Sequence, residues 1–175
     1  MLNAAQSLDH IHRFVPATVE GKPPLLLLHG TGGDENDLLS LGSVLSPSSA
    51  LLSPRGQVLE NGMPRFFRRS AEGVFDEADV ERRARDLGRF VEVARETYGF
   101  EAPLAVGFSN GANIAAALLM LEPEALAGAV LIRPMMPFAV PPTFRLPRTP
   151  ILMLSGAMDP IVPAFNAQDL AKTLE

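Results

Sequence analysis

Residues 103–121 read Pro-Leu-Ala-Val-Gly-Phe-Ser-Asn-Gly-Ala-Asn-Ile-Ala-Ala-Ala-Leu-Leu-Met-Leu. The apolar run Pro103 to Phe108 predicts a buried strand, and the Ala-rich segment Gly111 to Leu121 predicts a helix. Outward in both directions the pattern repeats. Leu25-Leu26-Leu27-Leu28, bounded by Pro23-Pro24 and Gly30, predicts a strand buried on both faces. Leu51–Leu52, Ala129–Ile132 and Ile151–Leu154 predict three more. Helices are expected over Asn36–Leu45, over Asp76–Tyr98 and from Ala164 onward. In the second of these, Val80, Ala84, Leu87, Val91, Ala94 and Tyr98 recur at threes and fours and make one apolar stripe. Asp79 with Arg83 and Glu81 with Arg85 predict four-apart ion pairs on its solvent side. Pro54 to Phe75 reads as irregular, with glycine-containing breaks. Short apolar strands alternating with helices require crossover connections. The expectation is therefore an α/β fold with a mostly parallel sheet flanked by helices.

Size and composition set bounds on this reading. A chain of 175 residues, 47% hydrophobic and 20% charged, is expected to form one domain over 1–175 with a sizeable core. A net charge of −5 argues against nucleic acid as a partner. The absence of cysteine removes thiolate nucleophiles, disulfides and Cys-ligated metals. The apolar helix candidate Ile114–Leu121 is far too short to span a bilayer. Residues Met1 to His12 lack a basic start followed by an apolar run. The expected protein acts away from membranes, in the cytoplasm.

In parallel sheets of this kind, reactive groups gather at the carboxyl ends of the strands. One such end reads Gly107-Phe108-Ser109-Asn110-Gly111, or G-x-S-x-G. Between a strand and a helix this is the pattern of a nucleophile elbow: a sharp turn lifts a serine hydroxyl above the sheet, and the next helix aims free N–H groups at a developing oxyanion. The alternative is an ordinary βα turn. A second end reads His29-Gly30-Thr31-Gly32-Gly33-Asp34, a glycine turn able to lie close to the serine. It predicts an oxyanion hole from the Thr31 and Asn110 backbone N–H groups. A phosphate-cradling loop is disfavoured because no Lys-Ser/Thr follows. His29 reads as an anchor of this turn rather than as a base. A third end, Ser155 to Pro163, carries Asp159, where a Ser…Asp…His series places its orienting acid. A simple cap or turn is the competing role for Asp159.

Four stretches together carry a resemblance: LHGTGGDENDL (28–38), SPRGQVLENGMPRFFRRSAEGVFD (53–76), GFSNGANI (107–114) and DPIVP (159–163). The chain resembles the small bacterial carboxylesterases of the α/β-hydrolase superfamily, similar to acyl-protein thioesterases and lysophospholipase-like esterases. Within that group it looks like the hydroquinone-stress-linked subgroup. The resemblance implies a serine hydrolase with Ser109 as nucleophile, Asp159 as acid, and Thr31 and Asn110 as oxyanion donors. It implies no metal and no organic cofactor, and a small ester or thioester as substrate, with a homodimer left open. Such enzymes carry the catalytic histidine about 30 residues beyond the acid, past one more helix and strand. In this chain no histidine follows His29, and His10 and His12 are expected on an N-terminal strand away from the reacting end. The final strand, the final helix and the histidine are thus expected to be lacking here and to lie beyond Glu175. The alternative is a non-catalytic binding protein of the same fold, or an inactive truncated form.

Other features admit two readings each. Arg65, Arg68 and Arg69 flank Phe66-Phe67, either as a rim recognising an anionic or aromatic substrate or as solvated arginines around a packed loop. Phe66, Phe67, Met135 and Met136 are candidate pocket residues, with core packing as the alternative for each. Arg133, at a strand end, is expected in an ion pair. Arg82, Arg83 and Arg85 read as a solvated helix face.

Overall fold

A computed structural model describes residues 8–156, 159 and 161–175. Its elements run β1 (His12–Val15), β2 (Leu25–Leu28), α1 (Leu39–Leu45), β3 (Leu51–Pro54), β4 (Val58–Glu60), β5 (Met63–Arg65), β6 (Arg69–Ala71), β7 (Val74–Phe75), α2 (Glu77–Tyr98), β8 (Leu104–Phe108), α3 (Asn110–Leu121), β9 (Gly128–Ile132), β10 (Ile151–Leu154) and α4 (Ala164–Leu174). Six strands form one sheet in the order β1-β3-β2-β8-β9-β10. All neighbours are parallel except β1, which runs antiparallel to β3. The predicted mostly parallel sheet flanked by helices is the observed one, with β8 in its interior between β2 and β9.

The unbroken leucine run of β2 follows from cover on both sides. Leu26 and Leu28 face a core built by α2 and α3, while Leu25 and Leu27 face the smaller cluster under α1. Ala112, Ala115 and Ala116 of α3 are fully buried beside β2, β8 and β9. Their small side chains let the helix lie close to the sheet. At the outer strand β10 the cover ends: Leu152 and Leu154 are 53% and 47% exposed.

α2 starts and stops on local signals. The Asp76 side chain accepts from the Asp79 N–H at the N-cap, and Gly99 (φ 71) closes the helix in the left-handed conformation. Its predicted apolar stripe is buried as far as Ala94. The Glu81–Arg85 pair lies on the solvent side, at 3.0 Å. The Asp79 pair does not. Asp79 is only 3% exposed, because its carboxylate accepts the Arg68 N–H at 2.8 Å and so ties the helix to the loop before β6. Arg82 and Arg83 reach inward to the same carboxylate.

Two further segments depart from the sequence expectation. α1 begins at Leu39 rather than Asn36, because Asp34 Oδ1 accepts the Asn36 N–H at 2.7 Å and holds 34–36 in a turn. Residues 54–75 are not irregular: they fold into two hairpins, β4–β5 and β6–β7. Asn61 (φ 52) and Gly62 (φ 80) supply the positive-φ pair that a two-residue hairpin turn needs. Phe66 and Phe67, between the hairpins, sit in the main core.

Candidate active site

Ser109 stands where β8 passes into α3, with φ 51 and ψ −112. A non-glycine residue held there costs on the order of 1–3 kcal/mol, so its surroundings must over-determine it. They do. The Ser109 N–H donates to Ile132 O at 2.8 Å, and its carbonyl accepts the Asn113 N–H at 3.0 Å. The flanking glycines are required sterically. A Cβ on Gly111 would lie 2.0 Å from Leu28 O, and one on Gly107 would lie 2.5 Å from Gly111 O. The backbone is drawn tightly over the end of β2, and the serine is left half-buried at the carboxyl end of the sheet.

A cavity of about 220 Å³ lies against Ser109, with Thr31, Arg65, Asn110, Asn113 and Met135 among its walls. On the glycine turn, Gly32 N–H donates to Pro64 O and Gly33 N–H to Gly30 O. The Thr31 N–H between Gly30 and Gly32 makes no hydrogen bond among the described residues. Asn110 is the first residue of α3, so its N–H has no carbonyl one turn earlier in the helix to receive it. Thr31 and Asn110, the residues of the two predicted donors, therefore line one cavity with the serine.

The histidines are committed elsewhere. His29 is buried and held by two bonds: its Nδ1–H donates to Gly30 O at 2.7 Å, and its Nε2 accepts the Gly56 N–H at 2.9 Å. Burial pushes its pKa down, which matches the neutral tautomer those bonds require. It anchors the turn, as expected, and has no lone pair left for a serine proton. His12 corrects one expectation. It pairs opposite Pro54, at the carboxyl end of β3, so it lies at the reacting end rather than away from it. It is nonetheless on the outermost strand, three strands from β8, with Nε2 bonded to the Tyr98 hydroxyl at 2.7 Å.

Asp159 lies in the loop after β10, on the same rim of the sheet as Ser109. Residues 157, 158 and 160 of that loop lie outside the described residues. Arg133 donates to the Asp159 carboxylate through Nε at 2.6 Å and Nη2 at 2.8 Å. The Ile161 and Val162 N–H groups also donate to Oδ1, at 2.9 and 3.1 Å. The Arg133 guanidinium, with those two N–H donors, holds the Asp159 carboxyl well below the usual carboxylate range. Arg133 is thus in the expected ion pair. Asp159 is not among the residues walling the Ser109 cavity.

Of the four candidate pocket residues, only Met135 lines this cavity. Phe66 and Phe67 are core residues, buried within the main hydrophobic cluster. Met136 borders a separate cavity of about 410 Å³ with Phe138 and Asn166. A larger cavity of about 650 Å³, between α2 and the end of α3, touches none of the candidate residues.

Three side chains at the site went unassigned in the sequence or were left between two readings. Asn110 Oδ1 accepts the Phe66 N–H at 2.7 Å, and Asn113 Oδ1 accepts the Met135 N–H at 2.7 Å. One turn of α3 thereby holds the Phe66 backbone in the core and the Met135 backbone on the cavity wall. Arg65 is the third: its side chain is 3% exposed, which does not fit the solvated-arginine alternative of its two readings. Arg69 is half-buried on the same wall, while Arg68 is exposed.

A strained serine between strand and helix, glycines forced by backbone contact, and an amide without a hydrogen bond on the neighbouring turn make this end of a mostly parallel sheet the candidate site. The chain belongs to the α/β-hydrolase fold family, whose pattern matches residues 23–148. Among its relatives, MhqD of Bacillus subtilis (strain 168), classed as a hydrolase, is 48% identical over 152 residues, covering 86% of this chain and 76% of MhqD. The Bacillus cereus carboxylesterase crystal structure superposes with a TM-score of 0.92 at 45% identity, covering 95% of this chain and 79% of that one. Atu2452 of Agrobacterium tumefaciens, of unknown function, gives 0.87 at 41% identity, covering 94% and 80%. No helix among the described residues is long and apolar enough to cross a membrane.

Proposed function

We propose that this chain carries the chemistry of a serine carboxylesterase acting on small carboxylic esters or thioesters. Ser109 Oγ attacks the substrate carbonyl, and the Thr31 and Asn110 N–H groups donate to the oxyanion that forms. The tetrahedral intermediate collapses to an acyl-Ser109 ester as the alcohol or thiol leaves, and water then releases the acid. A general base takes the serine proton and returns it to the leaving group, and Asp159 is the acid that orients an imidazole in that role. His29 does not fill that role, because both its nitrogens are bonded.

The observation that carries this reading is the shared cavity: Ser109 with its strained backbone, Thr31 with its unbonded amide and Asn110, the first residue of α3, all line one space. The 45% identity to a carboxylesterase supports the same class of reaction. The test is turnover of short p-nitrophenyl esters by the full natural polypeptide. Ser109→Ala is expected to lower kcat by more than ~10³-fold, the scale on which triad serines act, while oxyanion-hole catalysis persists. A Ser109→Ala protein that keeps a tenth or more of the rate overturns the proposal. Absence of turnover in the natural polypeptide favours the non-catalytic binding protein, for which the supporting observation is that no histidine lines the Ser109 cavity among the described residues.

A further inference from the structure

We propose that the cavity beside Ser109 recognises an anionic acyl chain, so that the preferred substrates are esters of dicarboxylic acids carrying one free carboxylate, with Arg65 and Arg69 as its binding residues. The proposal rests on the esterase reading of Ser109 and names its substrate class.

It starts from a burial that the fold does not fully compensate. Buried guanidinium groups are ordinarily paired, because losing hydration is costly. Arg65 is almost wholly buried, yet its bonds are modest. Nε donates to Phe67 O at 3.1 Å, and Nη1 donates to Thr31 Oγ1 at 3.0 Å and to Glu60 Oε2 at 3.3 Å. Its other terminal nitrogen, Nη2, makes no hydrogen bond among the described residues and is not a fully buried atom, so it is open to a ligand. The nearby carboxylate is already engaged: Arg69 holds Glu60 through Nε and Nη2, both at 2.9 Å. Two guanidiniums therefore share one carboxylate, which leaves one positive charge uncompensated. Glu72, also on the cavity wall, is exposed, so water screens its charge.

Both arginines line the cavity that holds Ser109, and Glu60 does not. The surplus charge thus faces the ligand space. One buried polar atom on the cavity wall also lacks a partner. Asn110 is 2% exposed, and its Nδ2 is buried without a hydrogen-bond partner, although its Oδ1 is bonded to Phe66 N–H. An acyl chain ending in a carboxylate meets these features together. Its carbonyl lies at Ser109, and its terminal oxygens accept from guanidinium N–H groups, charge-assisted bonds that are the stronger kind. The cavity, about 220 Å³, suits a short chain rather than a fatty one.

A different role for Arg65 would be purely structural, holding Thr31 and the Phe67 carbonyl. The two roles separate by ligand charge. Isothermal titration of the full natural polypeptide, as its Ser109→Ala form to prevent turnover, compares monomethyl glutarate with methyl valerate, an uncharged ester of the same chain length. The anionic ester is expected to bind roughly 10- to 100-fold more tightly, the fold-change of one or two charge-assisted hydrogen bonds. Arg65→Gln should bring that ratio toward one. Arg69→Gln, at a half-exposed position where folding is not at stake, should also reduce it. Equal affinity for both esters, no measurable binding of either at millimolar ligand, or a ratio unchanged in both variants overturns the inference. Turnover of neutral p-nitrophenyl esters by the wild type is read separately. Normal neutral turnover without anion preference removes only this substrate class, whereas loss of neutral turnover removes the esterase reading itself.

Discussion

Replacing Gly111 by alanine tests how tightly the serine turn is pressed onto the sheet. A Cβ at this position would lie 2.0 Å from Leu28 O, 2.5 Å from Leu28 C and 2.6 Å from His29 O. Real Cβ contacts rarely fall below about 3.4 Å, so Leu28 O and the turn must separate by about 1.4 Å. None of these atoms ends a flexible side chain. Leu28 is the last residue of β2, which is paired with β3 on one side and β8 on the other. Inserting one carbon into a well-packed core costs about 1–3 kcal/mol even where side chains can yield. With only backbone to move, at least ~3 kcal/mol is expected. For a chain of this size each kcal/mol lowers Tm by roughly 2–4 °C, so Gly111→Ala should melt on the order of 6–12 °C below wild type. Differential scanning fluorimetry, checked by urea titration, gives the readout. Gly156→Ala is the control: its nearest contact would be 3.7 Å, so its melting point should stay close to wild type or rise slightly. A Gly111→Ala protein that melts within 2 °C of wild type refutes the close approach of α3 to β2, and with it the steric account of the elbow.

Further outcomes follow from the site's hydrogen bonds and charges. Asn113→Ala leaves the Met135 N–H buried without an acceptor and should cost ~1–3 kcal/mol in urea unfolding. Asp159 has a depressed pKa, so the stability its pairing adds is present above the unfolded carboxyl pKa, near 3.9, and is lost as pH falls below it. Arg133→Gln should flatten that acid limb of the stability curve, and an unchanged limb would contradict the pairing. His29 also has a depressed pKa, so the unfolded chain takes up its proton first and stability falls as pH drops below about 6.5. His29→Gln should weaken this dependence without abolishing it, because burial lowers the His10 pKa too.

The parts of the fold visible in the sequence are those fixed by local pattern. Leu25–Leu28 is readable to the residue, because a strand covered on both faces of a parallel sheet is a plain apolar run, and Ile151–Leu154 keeps the same unbroken apolar run although it is an outer strand. The Ser109 turn was readable because its glycines are imposed by backbone contact. The hairpins within 54–75 were missed, although Asn61-Gly62 is a strong turn signal. Their strands are two or three residues long and barely alternate. What stayed hidden depends on tertiary neighbours. Nothing local marks Arg65 as buried, since arginine is ordinarily solvated and its partners Thr31 and Phe67 meet it only after the sheet has formed. Asn113 reaches Met135 across 22 positions. The rim on which His12 lies depends on the antiparallel pairing of β1 with β3, which a single apolar pattern does not encode.

The central claim, that Ser109 is the nucleophile, is tested most directly by treating the natural polypeptide with a small fluorophosphonate and mapping the adduct by intact-mass and peptide mass spectrometry. The account predicts one adduct per chain, on the peptide containing Ser109, and none in Ser109→Ala. An adduct on another residue, or an unmodified Ser109 in correctly folded protein, contradicts it.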